Sequence, residues 1–152
     1  SNSLAKLCKL DEHTVDIFSV AGLVHDIGRL VIMLAQNKTG AHLLGTSWKQ
    51  MTSIDHDERA VLGLNHCEIG QRICSKWNLS DTLQEAVLYH HTPMNGHFNL
   101  QAAIIFTAHF TTASDLTGDI IKKILPIELL NKMHLRAEDL FTARKMFFSG
   151  EK

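Results

Sequence analysis

Proline is scarce in this chain, with two among 152 residues. Because proline ends or kinks helices, its scarcity favours long uninterrupted helices. An excess of charge of one sign is also absent, since 15 Lys and Arg against 16 Asp and Glu leave a formal net charge of -1. No basic excess therefore indicates nucleic acid, and no acidic block indicates a solvating tail. The remaining composition is ordinary, and the length suits one domain around one core.

Long hydrophobic runs are missing as well. The longest uninterrupted apolar stretch is residues 30–35, far short of the roughly 20 residues that a membrane-spanning helix needs. No basic, apolar and small-residue signal segment opens the sequence. We therefore expect a cytoplasmic protein that does not act at a membrane.

Cysteines are few. Cys8, Cys67 and Cys74 are odd in number and lack CxxC spacing, which argues against a disulfide framework and a zinc knuckle. Cys67 and Cys74 lie seven residues apart, two turns along one expected helix, and packed thiols are the favoured interpretation for both.

Apolar residues recur at helical spacing along most of the chain. Leu83, Ala86, Val87 and His90, for example, lie at i, i+3, i+4 and i+7. Alternating apolar and polar stretches bounded by turns, which would indicate strands, are not found. The pattern predicts an all-α, single-domain multi-helix bundle of about seven helices. The segment 41–51 is ambiguous and is interpreted as helical.

Ten histidines are the most unusual feature. A single buried histidine is more often a core residue bonded to a carbonyl or carboxylate than a ligand, but adjacent pairs on several helices favour a shared site. Imidazole nitrogen and carboxylate oxygen together suit divalent ions such as Fe, Mn, Zn or Mg. The residues in question are His25-Asp26, His66, His90-His91 and His109. Polar or turn contexts indicate surface positions for histidines 13, 42, 56, 97 and 134.

Three segments carry a resemblance to a known family. Residues 18–31, FSVAGLVHDIGRLV, resemble the HDIG segment of the HD superfamily of metal-dependent phosphohydrolases. Residues 65–79, NHCEIGQRICSKWNL, and 86–93, AVLYHHTP, resemble the signature of the HDOD (HD-related output) domain. The resemblance covers about residues 4–115. It implies an all-helical fold that usually begins with several more helices.

The whole stretch 1–152 is accordingly expected to be one HDOD-like domain that lacks N-terminal helices of a longer protein. Lost packing around Leu4 and Leu7 would then leave an apolar patch near the amino end.

The resemblance also implies a metal site. By similarity to catalytic relatives that carry a Gly-Tyr-Pro motif, the ligands are expected to be His25, Asp26, His66, His90 and His91. Three features depart from that pattern. The final ligand aspartate is replaced by His109, with Asp115, six residues on, as the alternative for that ligand, and no Gly-Tyr-Pro follows the His-His pair. No histidine occupies the helix ending near Cys8, where active HD enzymes carry one. Glu58 is open to two interpretations: a position near the site, or a solvated helix face beside Arg59.

Two functions remain open. The departures favour a bacterial signal-transduction output or scaffold module with a degenerate metal site, little or no hydrolase activity and no assigned catalytic residue. The alternative is a metal-dependent phosphohydrolase that acts on a nucleotide or cyclic nucleotide, its ions promoting attack by water on phosphorus.

Under either function we expect one or two divalent ions, Fe, Mn, Zn or Ni, and no other cofactor. The expected partner is a signalling protein, and a second copy of the chain is an open alternative. Lys and Arg are scattered, and Lys122-Lys123 is too small a cluster to indicate nucleic-acid binding.

Overall fold

The computed structural model describes residues 2–39, 54–113, 121 and 123–149. Within these ranges the chain forms nine helices with defined bounds, further helical residues at 121, 123 and 124, and no strand, which confirms the all-α prediction. The helices are α1 (Asn2–Leu7), α2 (Glu12–Val24), α3 (Ile27–Thr39), α4 (Ile54–Leu62), α5 (His66–Lys76), α6 (Asp81–Tyr89), α7 (Leu100–Thr112), α8 (Ile127–Lys132) and α9 (Ala137–Ser149). The expected helix over 41–51 lies outside the described residues.

These nine helices exceed the predicted number of about seven, and the short helix α8 accounts for part of the difference. Helix α8 has six residues and was not expected, since the sequence shows only Pro126 ahead of a brief apolar run. Proline at that position cannot continue a preceding helix but is compatible with starting a new one.

Helix α7 is the centre of the domain. Eight of its 13 residues are buried, as expected for a helix that is apolar all round. Ile104 packs in the larger hydrophobic cluster with residues of α1, α2, α8 and α9, whereas Ile105 packs in a smaller cluster with α2, α5 and α6. His109 lies on this helix, so its backbone position is set by both clusters.

The prediction of an apolar patch around Leu4 and Leu7 is wrong. Leu4 is only 2% exposed and belongs to the larger cluster, and Leu7 packs against it. Exposed apolar side chains lie instead on α2 and α3, where Leu23, Leu30 and Leu34 are 84%, 53% and 64% exposed. Helices α7 and α9 pack on α1 and supply the contacts that sequence alone could not locate.

One helical stretch of the described chain, Glu12–Ala35, is long and apolar enough to cross a membrane, with a mean hydropathy of 1.7. The stretch qualifies by its length and composition only, and the core helix of a globular domain can be equally long and apolar. The stretch is interrupted by a turn at His25 and Asp26, whose side chains contact other helices.

Helices α3 and α5 approach each other closely at two glycines. A Cβ atom on Gly28 would lie 2.0 Å from the carbonyl oxygen of His66 and 2.8 Å from the backbone nitrogen of Gly70. Only a residue without a side chain fits there. This contact brings the His25-Asp26 turn, directly ahead of Gly28, against the first turn of α5.

Candidate metal centre

His66 is held at the first position of α5 by a capping box. The Asn65 side chain accepts from the backbone N–H of Glu68, and the Glu68 carboxylate accepts from the backbone N–H of Asn65. Such reciprocal bonds satisfy two helix N–H groups and define where the helix begins. The His66 side chain therefore leaves the backbone at a fixed point.

Glu58 of α4 orients the His66 ring. Its Oε2 accepts hydrogen bonds from the His66 backbone N–H at 2.8 Å and from His66 Nδ1 at 2.6 Å. Both side chains are completely buried. Because the carboxylate accepts here, the proton of the neutral ring lies on Nδ1 and the lone pair on Nε2. The interpretation of Glu58 as a solvated helix face is wrong.

Two further histidines are oriented by backbone carbonyl groups. His90 Nδ1 donates to the carbonyl oxygen of Val87 at 2.6 Å, and His25 Nδ1 donates to that of Gly22 at 2.8 Å. A carbonyl can only accept, so each neutral ring presents its Nε2 lone pair on the other side. Three imidazoles from three parts of the chain thus have defined tautomers.

The Nε2 atoms face one another. His66 Nε2 lies 3.3 Å from His90 Nε2 and 3.1 Å from His91 Nε2. Since His66 and His90 each present a lone pair, these two nitrogens have no proton to share. The two lone pairs repel each other at this distance. A cation bound between the two nitrogens would accept both lone pairs as ligands and remove the repulsion.

A buried carboxylate oxygen lies at the same point. Within the part of the chain that the structure describes, Asp26 Oδ1 has no hydrogen-bond partner, and it lies 3.5 Å from His66 Nε2 and 3.6 Å from His90 Nε2. Leaving a buried carboxylate oxygen without a partner is costly. The Asp26 oxygen and the Nε2 atoms of His66 and His90 therefore fit a divalent cation in both their chemistry and their positions.

His109 joins the other side of this cluster. Its Nε2 lies 2.6 Å from His25 Nε2, and His25 Nε2 lies 3.5 Å from Asp26 Oδ2. His25, Asp26 and His109 offer donor atoms within 4.8 Å of one another. All six side chains that the sequence singles out are thus brought together, and metal binding by them stays a prediction.

Sequence reasoning missed two side chains at this centre. Asp55 Oδ1 lies 3.4 Å from His66 Nδ1, and Cys67 Sγ lies 3.6 Å from His66 Nε2. The one available signal was the position of Cys67 directly after His66. The described surface histidines, residues 13, 56, 97 and 134, are exposed as expected, and His42 lies outside the described residues.

Burial dominates the protonation of the centre. It lowers the pKa of His25, that of His91 and that of His109, the last to about 3, with neighbouring imidazoles adding to the effect. Burial would raise the pKa of Asp26, but His90 and His25, when they carry a proton on Nε2, outweigh it and hold that pKa below its usual value. Neutral imidazoles around an ionised carboxylate are the protonation states that metal binding requires.

Two other groups have raised pKa values. Burial raises the pKa of the Asp55 carboxyl. It also raises the pKa of the Cys67 thiol, and the carboxylates of Asp55 and Glu58 add to this second shift. Burial therefore disfavours negative charge at these two positions.

An all-helical domain in which a His-Asp pair meets a His-His pair is of the HD type. The HDOD domain family matches residues 1–93, and the chain belongs to this family. The matched region contains five of the six expected ligands, and His109 lies beyond it. No curated protein and no solved structure matches the chain.

Proposed function

We propose that this domain is a bacterial signal-transduction output or scaffold module of the cytoplasm, with a degenerate HD centre that binds one or two divalent ions and has little or no hydrolase activity. One observation carries the proposal. His109 lies 2.6 Å from His25, at the place where the resemblance expects an aspartate ligand. A neutral imidazole there removes one negative charge from the centre and cannot bridge two ions through two oxygens.

The chain's own residues would hold an ion in a defined orientation. Glu58 and the carbonyl groups of Val87 and Gly22 fix the rings of His66, His90 and His25. Asp26 supplies the negative charge among them. A bound divalent ion supplies Lewis acidity. With histidine at position 109, the donors favour Fe, Zn or Ni over Mg or Mn.

Metal analysis joined to a hydrolysis assay tests the proposal. Protein purified without chelator should contain about one or two equivalents of Fe, Zn or Ni, the range of mononuclear and binuclear centres. The same protein, loaded with Mn, should show negligible hydrolysis of cyclic dinucleotides. Protein that takes up no divalent ion under any loading condition would remove the metal centre from the proposal.

A cavity favours the alternative of a phosphohydrolase acting on a nucleotide phosphoester. It has a volume of about 310 Å³, within the usual size range of ligand pockets. Its lining consists of Asp55, His91, Thr92, Phe106, His109, Phe110 and Ile124. Brisk turnover that depends on Mn and is lost in Asp26→Asn would establish this function in place of the module.

The exposed leucines of α2 and α3 support a protein partner. Leu23 and Leu34 expose most of their side chains, and apolar surface of this kind commonly marks contact sites. The partner is a signalling protein, with a homodimer as the alternative and with no role for nucleic acid or membrane. Light scattering on the purified domain separates the two: a monomer at high concentration would exclude the homodimer.

A further inference from the structure

The thiol of Cys67 belongs to the polar centre and not to a hydrophobic cluster. Cys67 Sγ lies 3.6 Å from His66 Nε2, 4.0 Å from His90 Nε2 and 3.8 Å from Asp55 Oδ1. Cys74, two turns along the same helix, packs instead against Leu83, Val87 and other apolar residues. The packed-thiol interpretation therefore holds for Cys74 and fails to describe Cys67.

Four donor atoms converge at this point. His66, Cys67, His90 and His91 each offer one donor, and all four lie within 4.8 Å of one another. A tetrahedral zinc site, with Zn–N of about 2.05 Å and Zn–S of about 2.3 Å, requires N···N separations of about 3.3 Å and S···N separations of about 3.6 Å. The observed N···N separations are 3.3 and 3.1 Å, and the S···N separations are 3.6 and 4.0 Å. These four separations, out of the six in a four-donor set, are close to those of a tetrahedral site.

Charge gives an independent reason for a thiolate ligand. Asp26 Oδ1 is buried at this cluster without a hydrogen-bond partner among the described residues, which indicates that a cation belongs beside it. Histidine at position 109 brings no negative charge. A Cys67 thiolate would restore the charge that the expected aspartate supplies, and would do so with a softer ligand.

We propose that Cys67 completes a four-coordinate site with His66, His90 and His91 and makes the centre selective for zinc-class ions over Mn and Mg. The inference rests on the proposed metal centre and adds a ligand and an ion preference to it. Binding replaces the S–H bond by a sulfur–metal bond and releases one proton to solvent.

Cobalt(II) is the probe, because it takes the zinc geometry and reports thiolate coordination by a charge-transfer band in the near ultraviolet. The wild-type domain, Cys67→Ser and the matched control Cys74→Ser are titrated with Co²⁺, and uptake is measured by equilibrium dialysis. We expect the band in the wild type and in Cys74→Ser and its loss in Cys67→Ser. Zinc affinity should fall at least about 10-fold in Cys67→Ser, since even the outer-shell partners of ligands are worth 10–100-fold.

The possible outcomes distinguish a failure of the Cys67 ligand from a failure of the metal centre. Cobalt uptake with no charge-transfer band, or with a band that survives in Cys67→Ser, overturns the role of Cys67 and leaves the metal centre in place. No uptake by the wild type overturns the metal centre and the role of Cys67 together. If Cys67→Ser fails to fold by circular dichroism, zinc-edge X-ray absorption of the wild type decides. One sulfur at about 2.3 Å supports the inference, and a shell of nitrogen and oxygen alone overturns it.

Discussion

His25 and His109 meet with their Nε2 atoms 2.6 Å apart, although 84 residues separate them in the chain. Because His25 Nδ1 is bonded to the carbonyl oxygen of Gly22, the His25 Nε2 presents a lone pair, and His109 donates the shared proton while no ion is bound. Any ion that takes both nitrogens as ligands must first displace this hydrogen bond.

The variant His109→Asp should bind Mn²⁺ more tightly than the wild type. The substitution restores a hard, negatively charged oxygen ligand next to His25 and Asp26, and such ligands suit Mn. Isothermal titration with Mn²⁺ measures the change, with His109→Asn as the uncharged control. An affinity equal to that of the wild type would show that His109 is only a packed core histidine.

The variant Glu58→Gln should keep the fold and lose metal affinity by about 10–100-fold, as other substitutions of the partners of ligating histidines do. A neutral amide still accepts from His66 but no longer raises the basicity of its Nε2. Zinc competition against a chromogenic chelator gives the affinity. Asp57→Asn, on the same helix and with a 60% exposed side chain, is the matched control and should bind zinc as the wild type does.

Acid should destabilise the ion-free domain below about pH 6.5, the ordinary pKa of histidine. The pKa values of His25, His91 and His109 are lowered in the folded state, so only the unfolded chain takes up these protons at first. Each histidine then removes up to about 1.4 kcal/mol per pH unit until its folded pKa is reached, which for His109 is about 3. Asp55, whose pKa is raised, opposes part of this loss on further acidification, because the folded state then takes up its proton before the unfolded chain does.

Urea unfolding at several pH values, in the presence of chelator, measures this dependence. The slope should be shallower in His109→Gln, which removes one such group. His56→Gln, at a side chain that is 89% exposed, should leave the slope as in the wild type. A stability that is constant between pH 7 and 4 would contradict the assignment of neutral, buried imidazoles.

The variant Gly28→Ala should be destabilised by about 1–3 kcal/mol or more, the usual cost of overpacking. The new methyl group would meet the carbonyl oxygen of His66 at 2.0 Å, and a backbone atom cannot move aside without shifting α5. Gly70→Ala meets the Val87 side chain at 2.8 Å and should cost less. Chemical denaturation of both variants makes the comparison, and equal stabilities would show that α3 and α5 adjust freely.

Helical periodicity determined much of the fold in advance. It predicted the all-α class and a helix through Leu83, Ala86 and Val87, because such spacing depends on neighbours within four residues. The adjacent His-Asp and His-His pairs indicated the candidate centre in the same way, by local spacing and resemblance.

Tertiary structure decided what depends on distant residues. The burial of Leu4 rests on packing against helices far along the chain, so the expected patch at the amino end does not exist. Glu58 became a buried partner of His66, and Asp55 joined the same centre, because α4 packs on α5. The sequence around Cys67 predicts only a packed thiol, because no residue within one helical turn indicates that His90 and His91 lie beside it. Side chains separated by more than a few residues meet only through the close approach of whole helices, which the sequence pattern does not locate.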